Sequence, residues 1–182
     1  MLDDFDGVLA RARVGSGAAF AVLYEDLVRP VAAYLRARGV HDVDDVTSDV
    51  FLAVFSGLGG FVGEQAQFRS WVFTIAHRRA VDGWRRSARQ PHEVPYEPDD
   101  DGRTAASAES DALEVLGEER VHELLAGLSA DQRDVLVLRI VGDLTVEQVG
   151  AVVGKRPGAV KALQRRGLAS LRRIVLAEGV PL

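Results

Sequence analysis

The sequence predicts an all-α fold, with two small helical domains joined by an acidic flexible linker. Three observations carry this. Apolar residues recur at steps of three and four, while alternating Val/Ile/Thr runs bounded by turns are absent. Pro91, Pro95 and Pro98 interrupt the pattern within a stretch dominated by acids. Two helical segments, one on each side of that stretch, are strongly basic in a chain whose net charge is −5. The expected boundaries are 1–90, 91–117 and 118–182.

Composition narrows the class. The chain has 182 residues, is 47% hydrophobic and 27% charged, and is globular by these measures. It holds no cysteine, which excludes a disulfide framework and a thiolate metal site. Its acidic start, MLDDFDGVLARARV, lacks the apolar centre of a signal peptide. No apolar run approaches the roughly 18–20 residues of a membrane span. A cytoplasmic protein without membrane insertion is the expectation.

Asp3 to Val14 reads as a short amphipathic helix with Phe5, Val8 and Leu9 inward. Gly15-Ser16-Gly17 breaks it, and Ser16 is placed to cap the next helix. That helix, Ala18 to Arg38, carries Phe20, Leu23, Tyr24, Leu27, Val31, Tyr34 and Leu35 at helical spacing. Pro30 should kink or split it, and Gly39 should stop it. Asp42 is expected to cap a third helix, with Asp44 and Asp45 in a first turn that favours acids. Val46, Val50, Val54 and Leu58 form its apolar face. Capping accounts for the acids next to His41, and no second ligand group accompanies them, so a metal site is not expected.

Gln67 to Arg89 reads as the fourth helix. Phe68, Trp71, Val72, Ile75 and Ala76 fall on one stripe. Arg69, His77, Arg78, Arg85 and Arg86 occupy the rest of the cylinder, and Trp84 and Phe73 lie off the stripe as a second aromatic surface. Six arginines and one acid, Asp82, lie between Arg69 and Arg89. One such helix is also compatible with a solvated face whose arginine stems cover core edges. A second basic helix at the far end of the chain argues instead for a polyanion partner.

Between them, Glu93, Glu97, Asp99, Asp100, Asp101, Glu109, Asp111 and Glu114 face Arg103 alone. This stretch reads as a linker, disordered or extended at least to Ala105. Gln90 to Leu113 could reach ~80 Å if fully extended, so the flanking domains could lie far apart.

Periodicity resumes with Leu113, Leu116, Val121, Leu124 and Leu125. Ser129-Ala-Asp-Gln132 has the form of a capping box and opens a helix with Val135, Leu136, Leu138 and the stem of Arg139 on its core side. Gly142 ends it. Thr145-Val-Glu-Gln148 is a second box, opening a short helix to Val153. Gly154 turns the chain, and Pro157 starts a last helix through Leu163, Leu168, Leu171 and Ile174. Lys155, Arg156, Lys161, Arg165, Arg166, Arg172 and Arg173 lie in this end with no acid among them. Two short helices about a glycine turn, the second basic, form a helix-turn-helix.

In this order the parts resemble the extracytoplasmic-function sigma factors, the smallest members of the sigma-70 family. The resemblance runs from Ala18 to Ile174, with the linker unmatched. Asp42-Val-Asp-Asp-Val-Thr-Ser-Asp-Val-Phe51 is similar to the region 2 helix DAEDLVQEVF, which docks on the β′ clamp helices of core RNA polymerase. The resemblance puts Asp45, Ser48 and Asp49 on its contact positions, with Ser48 in place of the family's glutamine. Phe68 to Asp82 is similar to FRTWLYRIARNLAID, the −10 reader, with Arg78 in place of an asparagine. Leu128 to Arg139 and Leu144 to Gly154 look like region 4. Pro157 to Arg166 departs from VGTVKSRLHR in having Ala159, Ala162 and Leu163 at polar positions.

The resemblance implies a specificity subunit with no chemistry of its own and no cofactor. It would bind core polymerase at the β′ clamp helices and β flap, read promoter DNA and help melt it. The −10 contacts would come from Glu64, Gln65, Gln67, Arg69, His77, Arg78, Arg85 and Arg86, with the loop Gly63–Gln67 resembling a pocket for a flipped base. The −35 contacts would come from Arg156, Gly158, Ala159, Lys161, Ala162, Gln164, Arg165 and Arg166 in a major groove. An anti-sigma factor, often membrane-linked, is a further implied partner. The rival reading is a free-standing helix-turn-helix regulator, which explains Thr145 to Arg173 but not the Asp42 to Phe51 helix. An enzyme is weaker still, because His41, His77, His92 and His122 have no evident nucleophile or carboxylate partner.

Overall fold

A computed structural model describes residues 2–87, 120–121 and 123–177, with residues 84–87 described by backbone alone. Every regular element among the described residues is helical: α1 (Phe5–Arg13), α2 (Gly17–Ala37), α3 (Val43–Gly57), a 3-10 turn (Leu58–Gly60), α4 (Gln65–Ser87), α5 (Ala130–Ile140), α6 (Val146–Val153) and α7 (Pro157–Ala177). The expected linker 91–117, with His92, Leu113 and Leu116, and also Ala88, Arg89 and His122, lies outside the described residues.

Local chemistry sets most helix ends. The Asp4 and Ser16 side chains accept from the amides of Gly7 and Ala19, capping α1 and α2. At the end of α2, Gly39 takes φ 74°. Its amide and that of Val40 donate to the carbonyls of Arg36 (2.8 Å) and Leu35 (3.2 Å), the two bonds of a Schellman motif. Asp42 sits at the start of α3, but its side chain makes no capping bond. Its backbone carbonyl accepts from Val46 instead, at 3.0 Å.

Pro30 does not split α2, which runs unbroken from Gly17 to Ala37. An interior proline costs about 3 kcal/mol. Leu27, Val31, Tyr34 and Leu35 around it are almost completely buried. Each such side chain contributes about 1.5–3 kcal/mol, which outweighs the break.

The apolar faces of α1 to α4 meet in one core. Phe5, Phe61 and Trp71 surround Phe68, and the rings of Phe61 and Trp71 stack with centroids 5.1 Å apart. Phe73, expected on a second aromatic surface, is fully buried instead. It meets Tyr34 of α2 edge to face at 5.8 Å. α2, α3 and α6 all pack on α4, so its buried face is wider than the Phe68 stripe. Trp84 belongs to the residues known only by backbone.

In the second half, both capping boxes form. The Ser129 and Thr145 side chains accept from the amides of Gln132 and Gln148, and the glutamine side chains accept from the amides of Ser129 and Thr145. Gly154 adopts φ 68° and turns the chain between α6 and α7. Gly150 has a separate role: a Cβ there would meet the Lys155 carbonyl oxygen at 2.6 Å, so only glycine lets the turn fold back on α6. Val160, Leu163 and Gly167 bury the inner side of α7. Leu168, expected inward, is 47% exposed because it follows the buried Gly167 by one position, about 100° around the helix.

The two halves are in contact. α2 packs on α5, and α4 packs on α6.

Candidate nucleic-acid interface

Three surfaces carry the residues singled out from sequence. On α3, Asp45, Ser48 and Asp49 are all exposed. The Ser48 hydroxyl donates to the Asp44 carbonyl at 2.9 Å. The same face continues with Leu52 and Phe55, which are 64% and 52% exposed. Two large apolar side chains beside two carboxylates form a mixed strip that a protein partner could cover. Sequence reasoning named the acids and missed Leu52 and Phe55. The available signal was the continuation of that face at steps of three and four.

On α4 the helix begins at Gln65, two residues earlier than expected, so Gln65 and Gln67 stand on its first turn and not in a loop. The Gln67 side chain accepts from the Glu64 amide at 2.8 Å, and the Phe68 amide donates to the Glu64 carbonyl at 2.9 Å. Glu64, Gln67 and Arg78 are exposed, while Gln65, Arg69 and His77 are half-buried. Arg69 Nε donates to the Gly142 carbonyl at 2.6 Å, and its guanidinium lies 3.5 Å from Asp26. The side chains of Arg85 and Arg86 are outside the described set.

His77 faces a polar cluster at the junction of the halves. Its Nδ1 lies 2.7 Å from the Tyr34 hydroxyl and 3.2 Å from Arg38 Nη1. Arg38 Nη1 also donates to the Tyr34 hydroxyl at 3.3 Å and to Asp134 Oδ2. Arginine can only donate, so Nδ1 must accept and the imidazole is neutral with its proton on Nε2. Burial, and then the Arg38 charge, lower the His77 pKa to about 4. Burial also pushes the Tyr34 hydroxyl up, well out of the physiological range, and raises the Asp134 carboxyl against the pull of Arg38. Tyr34, Arg38 and Asp134 were not singled out as a site from sequence. Tyr34 and Arg38 lie one turn apart at the end of α2, but Asp134 stands on α5 and no local pattern joins it to them.

Arg156 is exposed just before α7, on which Gly158, Ala159, Lys161, Arg165 and Arg166 are exposed and Ala162 and Gln164 are half-buried. Lys155 is tied back to Asp131 by a 2.9 Å ion pair. The first half of α7 therefore presents Lys161, Arg165 and Arg166 among small residues, a shape that a DNA groove could accept.

Comparison with known proteins places the chain in a family. The family descriptions Sigma-70 region 2 and Sigma-70, region 4 match residues 21–90 and 124–173. The ECF RNA polymerase sigma factor SigD of Mycobacterium tuberculosis is 33% identical over 181 residues, covering 96% of this chain and 85% of that protein. The ECF RNA polymerase sigma factor BldN of Streptomyces coelicolor is 29% identical over 170 residues, covering 92% of this chain and 64% of that longer relative. The solved structure of CnrH in complex with the cytosolic domain of CnrY superposes with a TM-score of 0.68 at 27% identity, covering 93% of this chain and 96% of that one. A free-standing helix-turn-helix regulator would leave the region 2 match without a purpose, and the sigma families are not catalytic ones. The chain belongs to the sigma-70 family, among the ECF RNA polymerase sigma factors.

Proposed function

We propose that this chain acts as an alternative sigma factor through three separate faces. The α3 strip of Asp45, Ser48, Asp49, Leu52 and Phe55 docks on the β′ clamp helices of core polymerase. The basic face of α4 reads the −10 element as it opens, and α7 enters the major groove of the −35 element. Residues 1–90 and 118–182 serve as the two reading units, with 91–117 as their linker. The β flap is the second polymerase contact, and the site of action is the cytoplasm. Among the described residues no helix is long and apolar enough to cross a membrane.

The observation that carries this reading is the face of α7. Lys161, Arg165 and Arg166 stand exposed on a helix fixed by the Gly154 turn, in a chain whose other half matches sigma-70 region 2. Phosphate contacts from such cations position a helix, and base edges reached from the same face give specificity. The protein does no chemistry in this reading. It supplies sequence recognition, and a pocket for an unstacked base offsets a few kcal/mol of melting. The solved relative CnrH is held by a partner's cytosolic domain, which supports an anti-sigma factor as a further partner here. Transcription by core RNA polymerase on a random promoter library, with and without this chain, tests the proposal. Enrichment of one −35/−10 pair is expected, and transcripts independent of the added chain would refute it.

A further inference from the structure

α1 lies before residue 21, where the Sigma-70 region 2 match begins, yet it reaches the loop that leads into α4. Phe5, Val8, Leu9 and Ala12 are buried, which seats α1 firmly on its neighbours. It packs on α2 and on the 3-10 turn, and the Phe5 ring lies 5.6 Å from that of Phe68 on α4. Arg13 is the last residue of this helix. Its Nη2 donates to the carbonyl of Phe61, 48 residues on, where the chain leaves the 3-10 turn.

Phe61 opens the loop 61–64 that precedes α4. At the far end of the loop the Glu64 amide donates to the Gln67 side chain at 2.8 Å. Gly63 takes φ 151°, and a Cβ there would meet Gln67 Oε1 at 2.5 Å and Phe61 Cζ at 3.1 Å. Val62, between these anchors, is 90% exposed, so its burial does nothing to hold the loop. The course of the loop is therefore set by its two ends, and α1 braces one of them.

We propose that Arg13 is a positioning residue of the −10 reader: by holding the Phe61 carbonyl it fixes the loop 61–64 and so the shape of the pocket at 63–67. The inference rests on the reading of 63–67 as a pocket for an unstacked base. Such a pocket discriminates only while its walls are held in place, because a loose wall accepts the wrong base as readily as the right one. A bond from a charged donor is stronger than a neutral one, which suits Arg13 to this task. Arg13 itself need not touch DNA.

The test uses the full chain. Arg13→Met keeps the side-chain stem and removes the donor, and Arg13→Lys restores a cationic donor. In the free chain, hydrogen–deuterium exchange of the segment 61–64 should quicken in Arg13→Met and stay near the parent rate in Arg13→Lys. With core polymerase, fluorescent single strands carrying the selected −10 element are compared with strands altered only at the unstacked base. The parent should prefer the selected base, and Arg13→Met should lower that preference by about tenfold, the scale of one hydrogen bond from a charged donor. Arg13→Lys should regain most of it. Core binding and −35 duplex affinity should match the parent in both variants, a pattern that general loss of folding would not give. If Arg13→Met loses helix content by circular dichroism, Arg13→Gln, shorter and uncharged, takes its place. An unchanged base preference, or an equal loss on every −10 and −35 sequence, overturns the role of Arg13. So does parent-like exchange of 61–64. A parent chain that selects no −10 base loses the reading of the pocket, whereas one that selects a base whatever stands at position 13 loses this inference alone.

Discussion

The Tyr34 hydroxyl and His77 Nδ1 approach to 2.7 Å although 43 residues separate them in sequence. The contact joins α2 to α4 and fixes the charge of a residue on the helix proposed to read the −10 element. Arg38 and Tyr34 from α2 face the imidazole, and Asp134 from α5 lies beyond Arg38. A proton on Nδ1 would point at a guanidinium.

The first prediction follows from that charge. His77 has a folded pKa of about 4 against an ordinary value of 6.5, depressed first by burial and then by Arg38. Between these values the unfolded chain binds more protons than the folded one, so stability falls as pH drops from 6.5 toward 4 and is insensitive to His77 above 6.5. The raised carboxyl of Asp134 acts in the opposite sense, because its folded form takes up a proton first as pH falls. Urea midpoints across this range should decline for the parent, and His77→Asn should flatten the decline. An equal slope in the variant would place the titrating group elsewhere.

Much of this architecture is local and was readable. The two S/T-x-x-Q boxes and Gly154 fix the starts of α5 and α6 and the turn into α7 through bonds spanning three to five residues, and such signals survive in sequence alone. The spacing of Asp45 and Asp49 likewise set one face of α3. What was not readable depends on distant partners. Phe73 looked like a second surface until Tyr34 covered it. Asp134 carried no signal of its own, because its partner Arg38 lies 96 residues away. Pro30 was expected to kink or split α2, and the helix is not split, because propensity carries no account of the burial around it.

Polymerase docking gives the second prediction. Asp45 and Asp49 lie one turn apart, with Leu52 and Phe55 continuing the face. Asp45→Lys with Asp49→Lys should abolish holoenzyme formation. Helix content should survive, because both side chains are exposed and reversing Asp45 in the first turn costs only about 0.3–1 kcal/mol. Leu52→Ala should weaken binding without any change in salt dependence. Gel filtration with core polymerase measures both, and normal co-elution of the double mutant would remove α3 from the interface.

The turn of the helix-turn-helix supplies the third. Thr145→Ala removes one capping bond and should cost about 1 kcal/mol. Gly150→Ala should cost more, about 1–3 kcal/mol, because its Cβ meets backbone and not a movable side chain. It should also lower −35 duplex affinity by displacing α7. Thermal melts and duplex titrations on the two variants compare them, and a Gly150→Ala protein as stable as the parent would contradict the close approach of the Lys155 carbonyl.

The last prediction divides the cations of α7. Lys161 and Arg165 are four residues apart and share a face, whereas Arg166 points about 100° away. All three are exposed, and Gln164 between them is half-buried. Lys161 and Arg165 should therefore act together on the groove, with Arg166 on a flanking phosphate. Arg166→Ala should weaken all −35 duplexes alike and flatten the log–log salt slope by about 1. Arg165→Ala should cost about 1–3 kcal/mol on the selected −35 sequence and little on a mismatched one, as loss of a base-edge contact does. Titrating both variants against matched and mismatched duplexes at several salt concentrations separates the roles. Equal losses on both sequences for Arg165→Ala would mean that it positions the helix and that base reading falls to Gln164.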